Sequence, residues 1–126
     1  MLSVWYGLLV KGQTFSMKDT KDQPTVQFKP TAGKLYTFMI IDTTATKPDY
    51  IHWMMVNMDG TDMLQVFPYE APHPPSGTHR YDIYLCEQLH EIPLPVIKKR
   101  YSFSTKDFIR TYALKVVERI NFFQHA

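Results

Sequence analysis

Two stretches of this chain carry side chains whose character changes with a period of two, and that period restricts the fold more than any other feature. "YTFMIID" sends Tyr36, Phe38, Ile40 and Asp42 to one face, and "HRYDIYLCE" sends His79, Tyr81, Ile83 and Leu85 to one face and Arg80 and Asp82 to the other. Successive side chains point to opposite sides only in an extended chain, so both read as strands. "IHWMMVNM" is apolar on both faces apart from His52 and Asn57, as a central strand covered on both sides must be. Turn-forming segments separate these runs: "KPTAGK", "TTATKPDY", "MDGTD" and the proline-rich "FPYEAPHPPSG". The opening "MLSVWYGLLV" reads as a buried first strand. It has neither a basic leader nor a small-residue cleavage site, and Lys11 ends it well short of a membrane span.

Near the end the period changes. "FSTKDFIRTYAL" offers Ser104 or Thr105 as a cap, Asp107 in the first turn, and Phe108, Ile109 and Tyr112 at helical spacing, which predicts one short helix at about residues 105 to 113. "KVVERINFF" is compatible with a longer helix or a strand. Its β-branched content and the alternation of Val116, Glu118, Ile120 and Phe122 predict a strand over about residues 116 to 123. The expected fold class is mainly β, an antiparallel β-sandwich with one short C-terminal helix.

With 126 residues, 44% hydrophobic and 14% aromatic, the chain suffices for one core, and residues 1–126 are expected to form a single domain. Fourteen Lys and Arg against twelve Asp and Glu leave a formal charge of +2. The basic residues are scattered except for Lys98, Lys99 and Arg100, a trio that reads as a solvated face. Nothing here resembles a footprint for nucleic acid or for an anionic membrane. The single cysteine, Cys86, cannot form an internal disulfide, and its apolar surroundings suggest a buried thiol. A reducing, cytoplasmic setting fits.

Three polar residues interrupt the apolar faces. Asp42 closes its strand while His52 and His79 open theirs, and in antiparallel neighbours the end of one strand lies beside the start of the next. All three are expected at one end of the sheet. The loop bearing Pro74, Pro75 and Gly77 enters there, and its restricted backbone suits a preformed mouth for a small anion. Each residue also has a plainer reading. Either histidine taken singly is more often a hydrogen-bonded core residue, Asp42 could cap the Thr43 to Thr46 loop, and Arg80 could pair with Asp82 at the surface. His73, His90 and His125 carry no positional argument, and Met54, Met55, Met58 and Met63 read as packing. Two histidines and a carboxylate also make a transition-metal set, so a metal-dependent hydrolase competes with an anion-binding module. A protein-interaction domain with a vestigial pocket is the third reading. One cis peptide near "APHPP" is a further expectation.

"AGKLYTFMIID", "HWMMVNM" and "HPPSGTHRYDIYLCEQ", followed by "FSTKDFIRTYALKVVERINFFQ", resemble the phosphatidylethanolamine-binding proteins, which include Raf kinase inhibitor proteins and plant flowering-time regulators. The resemblance runs from Leu35 to Gln124, with a weaker echo in "QPTVQF". It implies a β-sandwich whose pocket, formed here by Asp42, His52, Pro74, Pro75, His79, Arg80 and Tyr81, accepts phosphate-bearing headgroups, phosphorylated residues or acetate-like ions. No chemical step, cofactor or metal is implied, and a signalling protein is an implied partner. His73 stands where the family has glycine, and "DTTAT" replaces a loop with a second acidic residue and two prolines. After "NFFQHA" no counterpart is expected of the helix that packs beside the pocket in animal members. On this reading His52 and His79 donate to the anion, Asp42 orients a histidine or accepts a headgroup donor, Pro74 and Pro75 shape the wall, and His73 narrows the mouth or adds a cationic donor.

Overall fold

The computed structural model describes residues 2–126. Its elements, in chain order, are β1 (Ser3–Trp5), β2 (Thr14–Phe15), β3 (Thr25–Gln27), β4 (Leu35–Asp42), β5 (Tyr50–Met58), β6 (Leu64–Phe67), β7 (Thr78–Gln88), α1 (Thr105–Thr111) and β8 (Lys115–His125). Six strands form one open sheet in the order β2-β8-β7-β4-β5-β6, and β1 pairs with β3 in a separate small sheet. Pairing is antiparallel throughout except at the short β2–β8 contact.

The alternation in β4 serves two cores at once. Phe38 and Ile40 meet Tyr81, Ile83 and Phe122 on one face, where Val4 of β1 and Val26 of β3 cover them, so the small sheet forms the second layer of a sandwich. Met39 and Ile41 point the other way, to Met54, Val56 and Cys86, beneath Phe108 of α1 and Ile92. Each fully buried aliphatic or aromatic side chain contributes about 1.5–3 kcal/mol by leaving water. A strand buried on both faces is therefore the natural centre of the sheet.

Helix α1 begins where the cap chemistry places it, with the Ser104 hydroxyl accepting from the Asp107 amide at 3.1 Å. Ala113, at φ +50°, turns the chain out of the helix. The next eleven residues pair with β7 from Glu87↔Lys115 to Thr78↔His125, so "KVVERINFFQH" is strand. Val117 bulges out of that ladder, which leaves Val116 42% exposed while Ile120, Phe122 and Gln124 alternate into the core.

Three expectations are corrected. The first strand is only Ser3–Trp5; Gly7, at φ +83°, turns the chain, Val10 folds back to bond Val4, and Leu8 and Leu9 stay about half exposed. The "APHPP" loop is trans throughout, because nothing in its packing overrides the ordinary trans preference of about 0.5–1 kcal/mol. Arg100 is not part of a solvated trio; its guanidinium is spent on backbone carbonyls, as described below.

Register brings the site together. Asp42 pairs with Tyr50 at the start of β5 and with Tyr81 near the start of β7, so the end of β4 lies between two strand beginnings.

Candidate functional site

Strict alternation would send His52 to the same face as Met54 and away from Trp53. The strand does not alternate there. Ile40 pairs with Trp53 but Ile41 pairs with Ile51, which leaves His52 as an extra residue, a β-bulge. The bulge turns His52 onto the face that holds Trp53 and Tyr81, with its ring centroid 5.3 Å from that of Tyr81. Arg100 secures it. One guanidinium nitrogen donates to the carbonyls of Ile51 and His52 at 3.1 and 3.3 Å, and the other to Pro68 at 2.9 Å.

The bulge also ties His52 to the loop after β6. The Glu70 amide donates to the His52 carbonyl at 2.8 Å, and His52 Nδ1 lies 2.7 Å from the Glu70 carbonyl oxygen. A carbonyl only accepts, so Nδ1 carries the proton and Nε2 keeps a lone pair. Burial holds the imidazole below its usual pKa, against the opposing pull of the Glu70 hydrogen bond and the Asp42 charge. His52 is neutral at pH 7.

His79 differs. Its Nδ1 donates to Asp42 Oδ2 at 2.7 Å in a pair that is nearly buried on the aspartate side. Asp42 Oδ1 accepts from the Thr44 amide at 2.8 Å and the Thr44 hydroxyl at 3.0 Å, so the aspartate caps its loop and orients a histidine at once. When His79 is doubly protonated, Nε2–H is the donor left for a ligand. Tyr81 completes the floor: it is fully buried, stacked on Phe122 with centroids 5.0 Å apart, and its hydroxyl has no hydrogen-bond partner. Burial, and then the nearby Asp42 carboxylate, raise the phenol's pKa.

These groups line a cavity of about 480 Å³. Asp42, His52, His73, Pro74, Pro75, His79 and Tyr81 all border it, together with Lys47, Tyr50, Glu70 and Tyr101. Arg80 does not. Alternation places Arg80 on the opposite face, where its Nε lies 3.4 Å from Asp82 Oδ1. At the mouth the Glu70 carboxylate accepts from the Tyr50 hydroxyl, whose pKa burial pushes up to about 12. Lys47 and Lys99 both lie over the Tyr101 ring, at 5.1 and 4.8 Å. The proline loop is anchored from beneath by fully buried Gln124, which donates to the Pro72 carbonyl at 2.8 Å and accepts from Thr20.

Sequence reasoning missed Glu70, Arg100 and Gln124. Glu70 and Arg100 act through backbone carbonyls, which no side-chain pattern announces, whereas the alternation of Gln124 with Phe122 was a usable sign that it points inward. Among the described residues, no group of three His, Cys, Asp or Glu side chains is disposed to hold a metal ion. Asp42 is fully engaged by Thr44 and His79, and His52 Nδ1 by Glu70.

No family model matches the chain. It is 29% identical over 98 residues to Protein TWIN SISTER of FT from Arabidopsis thaliana, covering 70% of this chain and 56% of that protein. Protein FLOWERING LOCUS T from the same plant is 25% identical over an alignment of 126 positions, covering 90% and 72%. The chain spans about half the length of several curated relatives it matches. In fold it is similar to the phosphatidylethanolamine-binding protein from Plasmodium vivax, with a TM-score of 0.80 at 18% identity over 98% of this chain and 84% of that one. Sequence likeness to the flowering proteins and likeness of fold agree: this chain has the phosphatidylethanolamine-binding protein fold and is similar in sequence to the plant flowering proteins.

Proposed function

We propose that residues 1–126 form one binding or regulatory domain whose pocket takes a small anion, a phosphate-bearing or carboxylate group. The observation that carries this reading is the Tyr81 hydroxyl, buried without a partner on the wall of a cavity that also holds His79. A buried polar group left unpaired costs about 1–3 kcal/mol, and a ligand oxygen beside His79 would remove that cost. His79 and Tyr81 contact the anion, Asp42 holds His79 in place, Pro74 and Pro75 form a stiff wall, and His73 and Lys47 stand at the mouth. His52 takes a different part from His79, because its hydrogen bond to Glu70 leaves it an acceptor. Arg80 lies outside this group.

Binding rather than catalysis is supported by the relatives, which are named for flowering and for phosphatidylethanolamine binding. A phosphate-bearing group on a signalling partner is the ligand class we favour. The metal-dependent alternative gains no support, because among the described residues no three His, Cys, Asp or Glu side chains are disposed to hold a metal ion. No helix among the described residues is long and apolar enough to cross a membrane. Buried Cys86, with its thiol pKa pushed up to about 12, suits the reducing, cytoplasmic setting we propose.

Calorimetry with phenyl sulfate, whose charge is constant, tests the pocket. Its binding should depend on the His79 ring, which Asp42 holds at Nδ1 so that Nε2 is left for the anion. His79→Ala should weaken it by about 1.5–3 kcal/mol, the range for a hydrogen bond to a charged group, with the fold retained. Unchanged affinity in His79→Ala would make the corner purely structural.

A further inference from the structure

The two imidazoles of the pocket present opposite hydrogen-bonding characters to a ligand. His79 spends Nδ1–H on Asp42, so its protonated form offers a donor. His52 spends Nδ1–H on the Glu70 carbonyl, so its neutral form offers a lone pair at Nε2. Between them the unpartnered Tyr81 hydroxyl can serve either way. An oxyanion that is acceptor on every atom satisfies His79 and Tyr81 but faces the His52 lone pair with another lone pair. An oxyanion that still carries one proton satisfies all three.

We propose that His52 makes this pocket selective for a protonated oxyanion, a phosphate monoester in its monoanionic form, over oxyanions such as sulfate esters that hold no proton. The proposal rests on the anion-pocket reading above and adds which anion the pocket prefers. The tautomer is set by geometry, because the Glu70 carbonyl can only accept and the Glu70 amide closes the same bridge from the other side. The surroundings of His52 keep it an acceptor. Asp42 from β4 and Glu70 from the loop after β6 favour a proton on it, while Arg100 and burial oppose one; Tyr50 and Tyr81 are phenols with raised pKa values and remain neutral. The net effect is a pKa below the ordinary value, with burial the largest cause. Arg100 also pins the bulge that aims the ring, so the acceptor does not swing away.

Phenyl phosphate and phenyl sulfate separate the idea from plain charge attraction. Near pH 6 about half of a phosphate monoester is a monoanion with one O–H, since its second pKa lies near 6, and the sulfate ester is a monoanion with none. Calorimetry on the intact chain should show phenyl phosphate bound at least about tenfold more tightly than phenyl sulfate near pH 6, the effect of one hydrogen bond gained against one lone-pair clash. The preference should narrow as pH rises to about 8 and the phosphate loses its proton. His52→Leu should bring the ratio near unity. His52→Gln, whose amide can donate to Glu70 and still present an oxygen, should keep part of it and serves if the leucine variant does not fold. Equal binding of the two esters by the wild type, or a preference that survives in His52→Leu or persists unchanged at pH 8, overturns the proposal and leaves the anion pocket standing. Binding of neither ester overturns both.

Discussion

Tyr81 carries a hydroxyl for which the fold provides no partner, on a ring that the fold holds firmly against Phe122. Stability and binding should therefore pull in opposite directions at this residue. Tyr81→Phe keeps the stacked ring and removes only the unsatisfied oxygen, so stability to urea should be unchanged or rise by about 1 kcal/mol, while phenyl phosphate binding weakens. A loss of more than about 1 kcal/mol would show that the hydroxyl is satisfied in the free protein. Asp42, by contrast, cannot be changed so cleanly, because one carboxylate caps the Thr44 turn and orients His79. The two readings of Asp42 available from sequence, cap and site residue, are both realised in the same side chain.

Among the elements, β5 decides most, since its bulge turns an otherwise core-facing position into a pocket wall. A bulge leaves carbonyls outside the ladder, and Arg100 reaches two of them as well as Pro68 on the loop. Arg100→Ala should cost about 1.5–3 kcal/mol in urea denaturation and speed amide exchange around the bulge. Arg100→Lys should recover less than half of that, because a point ammonium cannot span three carbonyls as a planar fork does. Full rescue by lysine would mean that charge near Phe67 and the loop, not the fork geometry, is what matters at this position.

For the whole molecule, a histidine kept neutral by burial makes folding depend on pH. The unfolded chain takes up a proton on His52 near the ordinary value of 6.5, whereas the folded chain does so only at lower pH. Between those two values the unfolded state binds more protons, so stability falls as pH drops and is fully present only above the unfolded value. Thermal or urea denaturation should show the wild type losing more stability between about pH 7.5 and about pH 5.5 than His52→Gln, which keeps a neutral donor for Glu70. Equal losses in the two proteins would place the pH dependence elsewhere. The same buried polar logic holds the far end of the sheet, where Gln88 accepts from Thr37 and the Asn57 amide and donates to the Asn57 side chain and the His90 carbonyl.

What the sequence determined by itself was everything governed by local period and chain order. Alternation in "YTFMIID" and "HRYDIYLCE" made strands β4 and β7, Ser104 and Asp107 started the helix, and antiparallel order alone was enough to gather Asp42, His52 and His79 at one end. The tertiary structure decided what depends on two strands at once or on backbone atoms. Whether β5 slips one residue against β4 is a property of the pair, so the face taken by His52 could not be read from "IHWMMVNM" alone. Which imidazole nitrogen keeps its lone pair is settled by a carbonyl of Glu70, and the bulge is pinned by a guanidinium from a loop 48 residues away from His52. Main-chain acceptors are chemically the same at every residue, so their pairings leave no trace in the side-chain sequence and appear only once the chain is folded.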